Sequence, residues 1–341
     1  MRKIIKPLVW LAAGIVAVLL VGFTAVQFKS DIARMKEHVG FEHTLLSKDI
    51  YALDFQDGDI ICGGAEGLYR VNTETLEAEE IEDYRYVKAI LVTEDSVWVG
   101  SEAGLGLLGT QQRLTTENGL PDNRVMSLCL AQDGTLWIGT RGGAAQAKIE
   151  KGQWKVQKTY NAADGLADDM VNVIYEDSFG GLWFGSYVAP RGGVSIQSNG
   201  NNQIFTTDNG LPHANVNAII ETSEHSVIVG GGLYTKGGAA EFERSNGKWE
   251  LKRTITKADG LAGEKVRSLY KDGAGRLWFG SEYDGLAIWV GSRFVILTTE
   301  TGLCHDEIKV IREDADGNFW IGTNGGLTKI SKEVLNNAAV K

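Results

Sequence analysis

The residue types able to do chemistry are few and scattered. There are five histidines and three cysteines in 341 residues. Cys62, Cys129 and Cys304 are too far apart in sequence for a disulfide framework or a zinc site, and Cys62 and Cys129 stand inside apolar runs where cysteine behaves as a small core residue. The chain has no GxSxG, no HExxH and no phosphate-binding glycine loop. Asp168–Asp169 and Asp314–Asp316 have the look of calcium or catalytic carboxylates, but they fall at repeated turn positions, where Asp caps the local backbone. No catalytic residue, metal ligand or cofactor is therefore expected. The remaining candidates belong to a binding surface: Tyr187, Arg191, His213, Tyr234, Lys236, Glu282, Tyr283 and Asp284. Aromatic faces with a few charges suit a sugar-like or peptide ligand.

The elements that would hold these residues are read from an internal repeat. One phrase recurs as DGTLWIGT (133–140), GGLWFGS (180–186), GRLWFGS (275–281) and GNFWIGT (317–323), with weaker copies DGDIICGG (57–64), DSVWVGS (95–101) and HSVIVGG (225–231). The central residues are Ile61, Trp98, Trp137, Trp183, Ile228, Trp278 and Trp320, spaced 37 to 50 residues apart. A second phrase precedes most copies, as in TTENGLPDNRV and TKADGLAGEKV. Each unit reads as four short strands. The first follows the Gly-Leu turn, and the second is apolar on consecutive positions, so it is buried on both faces. Seven such units predict an all-β, seven-bladed propeller of four-stranded antiparallel blades over 41–331. Residues 41–46 are expected to close the last blade as its fourth strand. The tryptophans are assigned to the blade core.

In this topology the loops from strand two to three share a face with those from strand four to one. The two-to-three loops are longest in three consecutive blades (186–193, 231–238 and 281–285), which gathers the eight candidates in one sector, with His213 arriving from a neighbouring loop. His305 falls on the same face.

The pattern of a Gly-Leu turn, strand, Asp-x-x-Gly and Leu-Trp-Ile-Gly-Thr resembles the two-component regulator propeller repeat. That family builds extracytoplasmic sensors of membrane-bound hybrid histidine kinases, and the resemblance implies a sensing role, often for glycans. These 341 residues show no histidine-phosphotransfer helix, ATP-binding domain or receiver, so only the receptor half is expected here.

Glycine makes up 43 residues and proline 4, which fits many tight turns. The net charge is −10, so nucleic acid is an unsuitable partner. Residues 7–28 carry no charge and as a helix would span roughly 33 Å, enough for a bilayer core of about 30 Å. An uncleaved anchor is favoured over a signal peptide, because bulky Phe23 stands where a small residue is wanted before Ala25. Arg2, Lys3 and Lys6 would keep residues 1–6 in the cytoplasm. Residues 29–40 would form a stalk, 332–341 a tail, and the propeller would lie outside the membrane. The expected function is a single-pass, membrane-anchored extracytoplasmic module that senses a small molecule or glycan or docks an envelope protein, working with a separate membrane signalling partner. A structural subunit of an envelope complex is the alternative, and a propeller lyase or hydrolase the less favoured one.

Overall fold

The computed structural model describes residues 39–150, 153–187, 191–198 and 200–339. The proposed tail and anchor (1–28), and the stalk except for its last two residues, lie outside these. Among the described residues no helix is long and apolar enough to cross a membrane.

The chain forms seven four-stranded antiparallel sheets. It enters through β1 (Phe41–Thr44). Blade one comprises β2 (Ile50–Gln56), β3 (Asp59–Gly64), β4 (Leu68–Asn72) and β5 (Ala78–Glu82). Blade two has β6 (Ala89–Thr93), β7 (Ser96–Ser101), β8 (Gly104–Leu107) and β9 (Arg113–Leu114). Blade three has β10 (Val125–Leu130), β11 (Leu136–Thr140), β12 (Gly143–Glu150) and β13 (Gln153–Tyr160). Blade four has β14 (Val171–Glu176), β15 (Leu182–Ser186), β16 (Val194–Ser198) and β17 (Asn201–Phe205). Blade five has β18 (Val216–Ser223), β19 (Ser226–Leu233), β20 (Lys236–Ser245) and β21 (Lys248–Ile255). Blade six has β22 (Val266–Lys271), β23 (Leu277–Ser281), β24 (Leu286–Val290) and β25 (Arg293–Leu297). Blade seven has β26 (Ile308–Glu313), β27 (Phe319–Thr323) and β28 (Gly326–Ile330), and β1 pairs antiparallel with β28 as its fourth strand, Phe41 opposite Ile330. The closing strand covers four residues, shorter than the six expected. The polar tail is not a strand: α1 (Lys332–Ala339) follows, and Leu335 is buried in the last blade's core.

The repeated phrases have local physical causes. Before each Gly-Leu pair, Thr115, Asn161, Thr206, Thr256 or Thr298 caps a one-turn 3-10 helix, and the following Gly119, Gly165, Gly210, Gly260 or Gly302 has φ between 98° and 125°. A side chain is strained there, and at Gly302 a Cβ would also strike the Phe41 ring that closes the propeller. In the Asp-x-x-Gly-x-Leu-Trp phrase, the aspartate ties a turn to the core. Asp177 Oδ1 accepts the Phe179 and Gly181 amides, and its Oδ2 accepts the Trp183 indole N–H at 2.9 Å. Asp272 and Asp314 hold Trp278 and Trp320 in the same way at 2.8 and 2.9 Å.

The tryptophans are core residues: Trp183, Trp278 and Trp320 are fully buried. They stitch blades together, Trp183 against Phe242 and Trp249 of blade five, and Trp278 stacked on Phe319 of blade seven at 4.3 Å. Edge-to-face and offset contacts of this kind add to the area they bury.

Asp177→Ala would leave the Trp183 indole and two turn amides without their acceptor inside the fold. The expected cost is about 3 kcal/mol, read as a lower urea midpoint with an unchanged slope. An Asp177→Ala midpoint equal to that of the parent chain would show that the clasp contributes nothing to stability.

Candidate functional site

The innermost strand of each blade places one residue at the mouth of the central channel. In six of the seven, the pairing with strand two slips between the first and third residues, for example Val266/Ser268 and Ile308/Val310. A bulge of this kind re-aims the extra side chain. The residues so displaced are Tyr51, Met126, Asn172, Asn217, Arg267 and Lys309, and all six line the channel. In blade two the matching residue is Lys88, whose amide donates to Gly100 O, the residue that Ala89 faces. The cavity they surround has a volume of about 540 Å³.

The ring is chemically lopsided. Asn172 and Asn217 donate to the Val216 and Val266 carbonyls of the next blade, so they are joints of the ring. Blades six, seven, one and two present Arg267, Lys309, Tyr51 and Lys88. Their charges are organised by a chain of ion pairs. Lys265, buried, meets Glu282 Oε1 at 2.8 Å; Arg267 Nη1 lies 3.0 Å from both Glu282 Oε1 and Glu307 Oε1; Lys309 Nζ is 3.6 Å from Glu307 and also pairs with Asp49. Two ammonium groups pack on the Tyr51 ring, Lys309 at 4.3 Å and Lys88 at 3.1 Å from its centroid. Lys88 has no carboxylate within ion-pair distance among the described residues.

Titration follows from these surroundings. Burial, then the nearby Arg267 and Lys309 charges, lower Lys88 from an ordinary 10.5 to about 7. Burial lowers Lys309 too, against the opposing pull of Asp49. Burial, with Asp49 alongside, pushes the Tyr51 phenol up.

Of the residues expected from sequence, several reach this mouth. Tyr187 lines the channel, with its hydroxyl 3.4 Å from Lys265 Nζ, and Glu282 is the carboxylate shared by Lys265 and Arg267. His213 lies near enough to Lys265 and Lys236 that, after burial, their charges lower its pKa. Tyr234 and Tyr283 stand exposed on the same face. The 231–238 segment is no open loop: β19 and β20 continue through it and turn at Tyr234–Thr235, where Tyr234 has φ of 52°. Arg191 and Asp284 are engaged elsewhere, with Asp168 at 3.3 Å and Lys257 at 3.5 Å. His213 Nδ1 accepts the Asn215 amide and His305 Nδ1 the Glu307 amide, the position at which Asp122 and Asp168 accept in other blades.

Sequence reasoning missed Lys88, Lys265, Arg267, Lys309 and Tyr51. Their signal is one of register: Tyr51, Arg267 and Lys309 each follow the Val or Ile that opens an innermost strand, Lys88 follows Val87 just ahead of β6, and the bulge that turns the first three inward has no local sequence mark.

Residues 119–142, 165–188, 260–283 and 302–325 match the two component regulator propeller family. Each match runs from the Gly-Leu turn through the first two strands of a blade. Among solved structures, the extracellular domain assigned to a hybrid two component system from B. thetaiotaomicron is 18% identical with a TM-score of 0.69, over 85% of this chain and 41% of that one. PorZ, a surface component of the type-IX secretion system of Porphyromonas gingivalis, is 13% identical with a TM-score of 0.60, over 83% of this chain and 46% of that one. An inactive histidine-to-alanine variant of virginiamycin B lyase from Staphylococcus aureus is 13% identical with a TM-score of 0.62, over 85% of this chain and 98% of that one. At these identities the likeness is one of fold. No curated protein matches the chain in sequence.

The folded protein holds Lys88 less protonated than the unfolded chain does between pH about 7 and 10.5, so that stability rises with pH across this window. Lys88→Met, which keeps the apolar stem, should raise the melting temperature by about 2 °C at low pH. The gain should shrink as pH climbs through the window, and a gain independent of pH would contradict the desolvated lysine.

Proposed function

We propose that this chain, four of whose blades match the two component regulator propeller repeat, is a non-catalytic extracytoplasmic module that binds a small ligand on its loop-rich face and reports it to a separate membrane partner. Residues 7–28 would anchor it, with residues 1–6 in the cytoplasm. The observation that carries the reading is the coincidence, on one face, of a channel mouth with charged groups and an exposed aromatic pair, Tyr234 and Tyr283. A concave site with a few converging polar groups is what a small-molecule site requires. Tyr234 supports it further: a bulky residue at positive φ is uncommon, and such strain collects at ligand sites. Tyr187, His213, Lys236 and Glu282 would line the approach, with Arg191 and Asp284 at its edge.

One observation weighs against an enzyme: His213 and His305 each accept a backbone amide through Nδ1, as the aspartates of other blades do, which makes them turn residues.

A thermal-shift screen of the detergent-purified chain with small neutral and charged glycans tests the reading. A ligand at a hundred times its Kd should stabilise the fold by about 2.7 kcal/mol. Tyr283→Ala should weaken that ligand about tenfold without changing the unliganded melting temperature, because Tyr283 is exposed. A panel without any shift, together with stoichiometric co-purification of an envelope protein, would replace ligand sensing with the docking alternative.

A further inference from the structure

We propose that the arc formed by Lys88, Tyr51, Lys309 and Arg267 at the channel mouth is a binding site for a singly charged oxyanion, carried by a small organic ligand whose body fills the cavity below. This deepens the ligand-binding reading above and rests on it.

The charge balance of the ion-pair chain carries the inference. Three carboxylates (Asp49, Glu282 and Glu307) are interleaved with Lys265, Arg267 and Lys309, so those six groups neutralise one another. Lys88 completes the arc as a fourth cation with no acid of its own, on a chain whose net charge is −10. Long-range attraction of anions is therefore not a property of the whole molecule, and the site must select through local geometry. Lys88 is held over the Tyr51 ring, and the Lys309 ammonium also packs on that ring, 4.3 Å from its centroid. The ammonium thus faces the cavity already ordered. Arg312 also lines the cavity and is countered by the nearby Asp54 carboxylate, so Lys88 is left as the one unbalanced positive charge and accommodates one negative charge; a second would be repelled by Asp49 and Glu307, whose charges act on Lys88. A cavity of about 540 Å³ is of the size that encloses small ligands, which commonly lies between about 300 and 1,000 Å³.

The titration of Lys88 fits this. Its neighbours are Tyr51 and Asp49, Lys309 and Glu307, and Arg267; burial, then the Arg267 and Lys309 charges, lower its pKa to about 7 against the opposing pull of Asp49 and Glu307. An anion beside it favours the protonated form. Binding therefore draws a proton from solvent, and affinity falls as pH rises above about 7.

The test is site-resolved amine labelling of the intact chain with a neutral acylating reagent at about pH 7.5, read by peptide mass spectrometry. The probes are gluconate and glucose 6-sulfate as monoanions, glucose as the neutral analogue and glucarate as the dianion. Lys88 labelling should fall about tenfold with a monoanion present at ten times its Kd, and glucose should leave it unchanged. Protection by gluconate alone points to a carboxylate, and by the sulfate ester alone to a sulfate monoester; either supports the site. Calorimetry should then show proton uptake with the parent chain and at least a tenfold loss of affinity with Lys88→Met. Equal protection by glucose, strongest protection by glucarate, or full affinity in Lys88→Met would overturn the proposal. A neutral glycan that raises the melting temperature while no monoanion protects Lys88 would likewise overturn it, and would leave the broader ligand-binding reading intact.

Discussion

The structure depends on one act of closure, the pairing of Phe41–Thr44 with the last blade. A blade cannot bury both faces of its second strand alone; it needs a neighbour on each side, and only a ring provides one for all seven. Bringing β1 to β28 closes a loop of nearly the whole chain, at an entropic cost of about 5 kcal/mol that grows only slowly with length. The four-residue ladder, the Phe41 ring over Gly302 and the burial of Leu335 from α1 lie at that junction. The channel mouth has the same origin. Lys309 and Asp49 pair across a separation of 260 residues, so this last link of the ion-pair chain exists only when the ring is shut.

The repeated phrases turn out to be structural grammar. Asp177, Asp272 and Asp314 join a turn to a buried indole, and the Gly-Leu phrase caps and ends a 3-10 turn. The most recognisable residues of the chain thus build the scaffold and leave its inner rim to be filled freely. At that rim one residue per blade faces the channel, six of the seven turned there by the bulge rather than by a packing need. Three of the seven are cationic, two are asparagines that brace the next blade, and one is a tyrosine packed by two lysines. A rim of this kind can change its chemistry without disturbing the blades.

Interleaving three carboxylates with four cations inside a partly desolvated mouth is costly unless each charge has a partner. The chain of ion pairs meets that requirement for six of the seven groups. The exception, Lys88, has its pKa depressed instead, the usual response of a lone buried ammonium.

By itself the sequence determined the blade count, the strand pattern and the core tryptophans, because these follow from periodicity and from local hydrogen bonding within a few residues. It also brought Tyr187, Glu282 and His213 to one sector, since loop lengths and strand directions fix which face a loop occupies. The tertiary structure alone decided that Lys88, Tyr51, Arg267 and Lys309 meet, that His213 and His305 serve as turn acceptors, and that residues 231–238 are a hairpin. Those outcomes depend on a one-residue slip in strand register and on contacts between blades distant in sequence, and neither leaves a periodic trace for a linear reading to find.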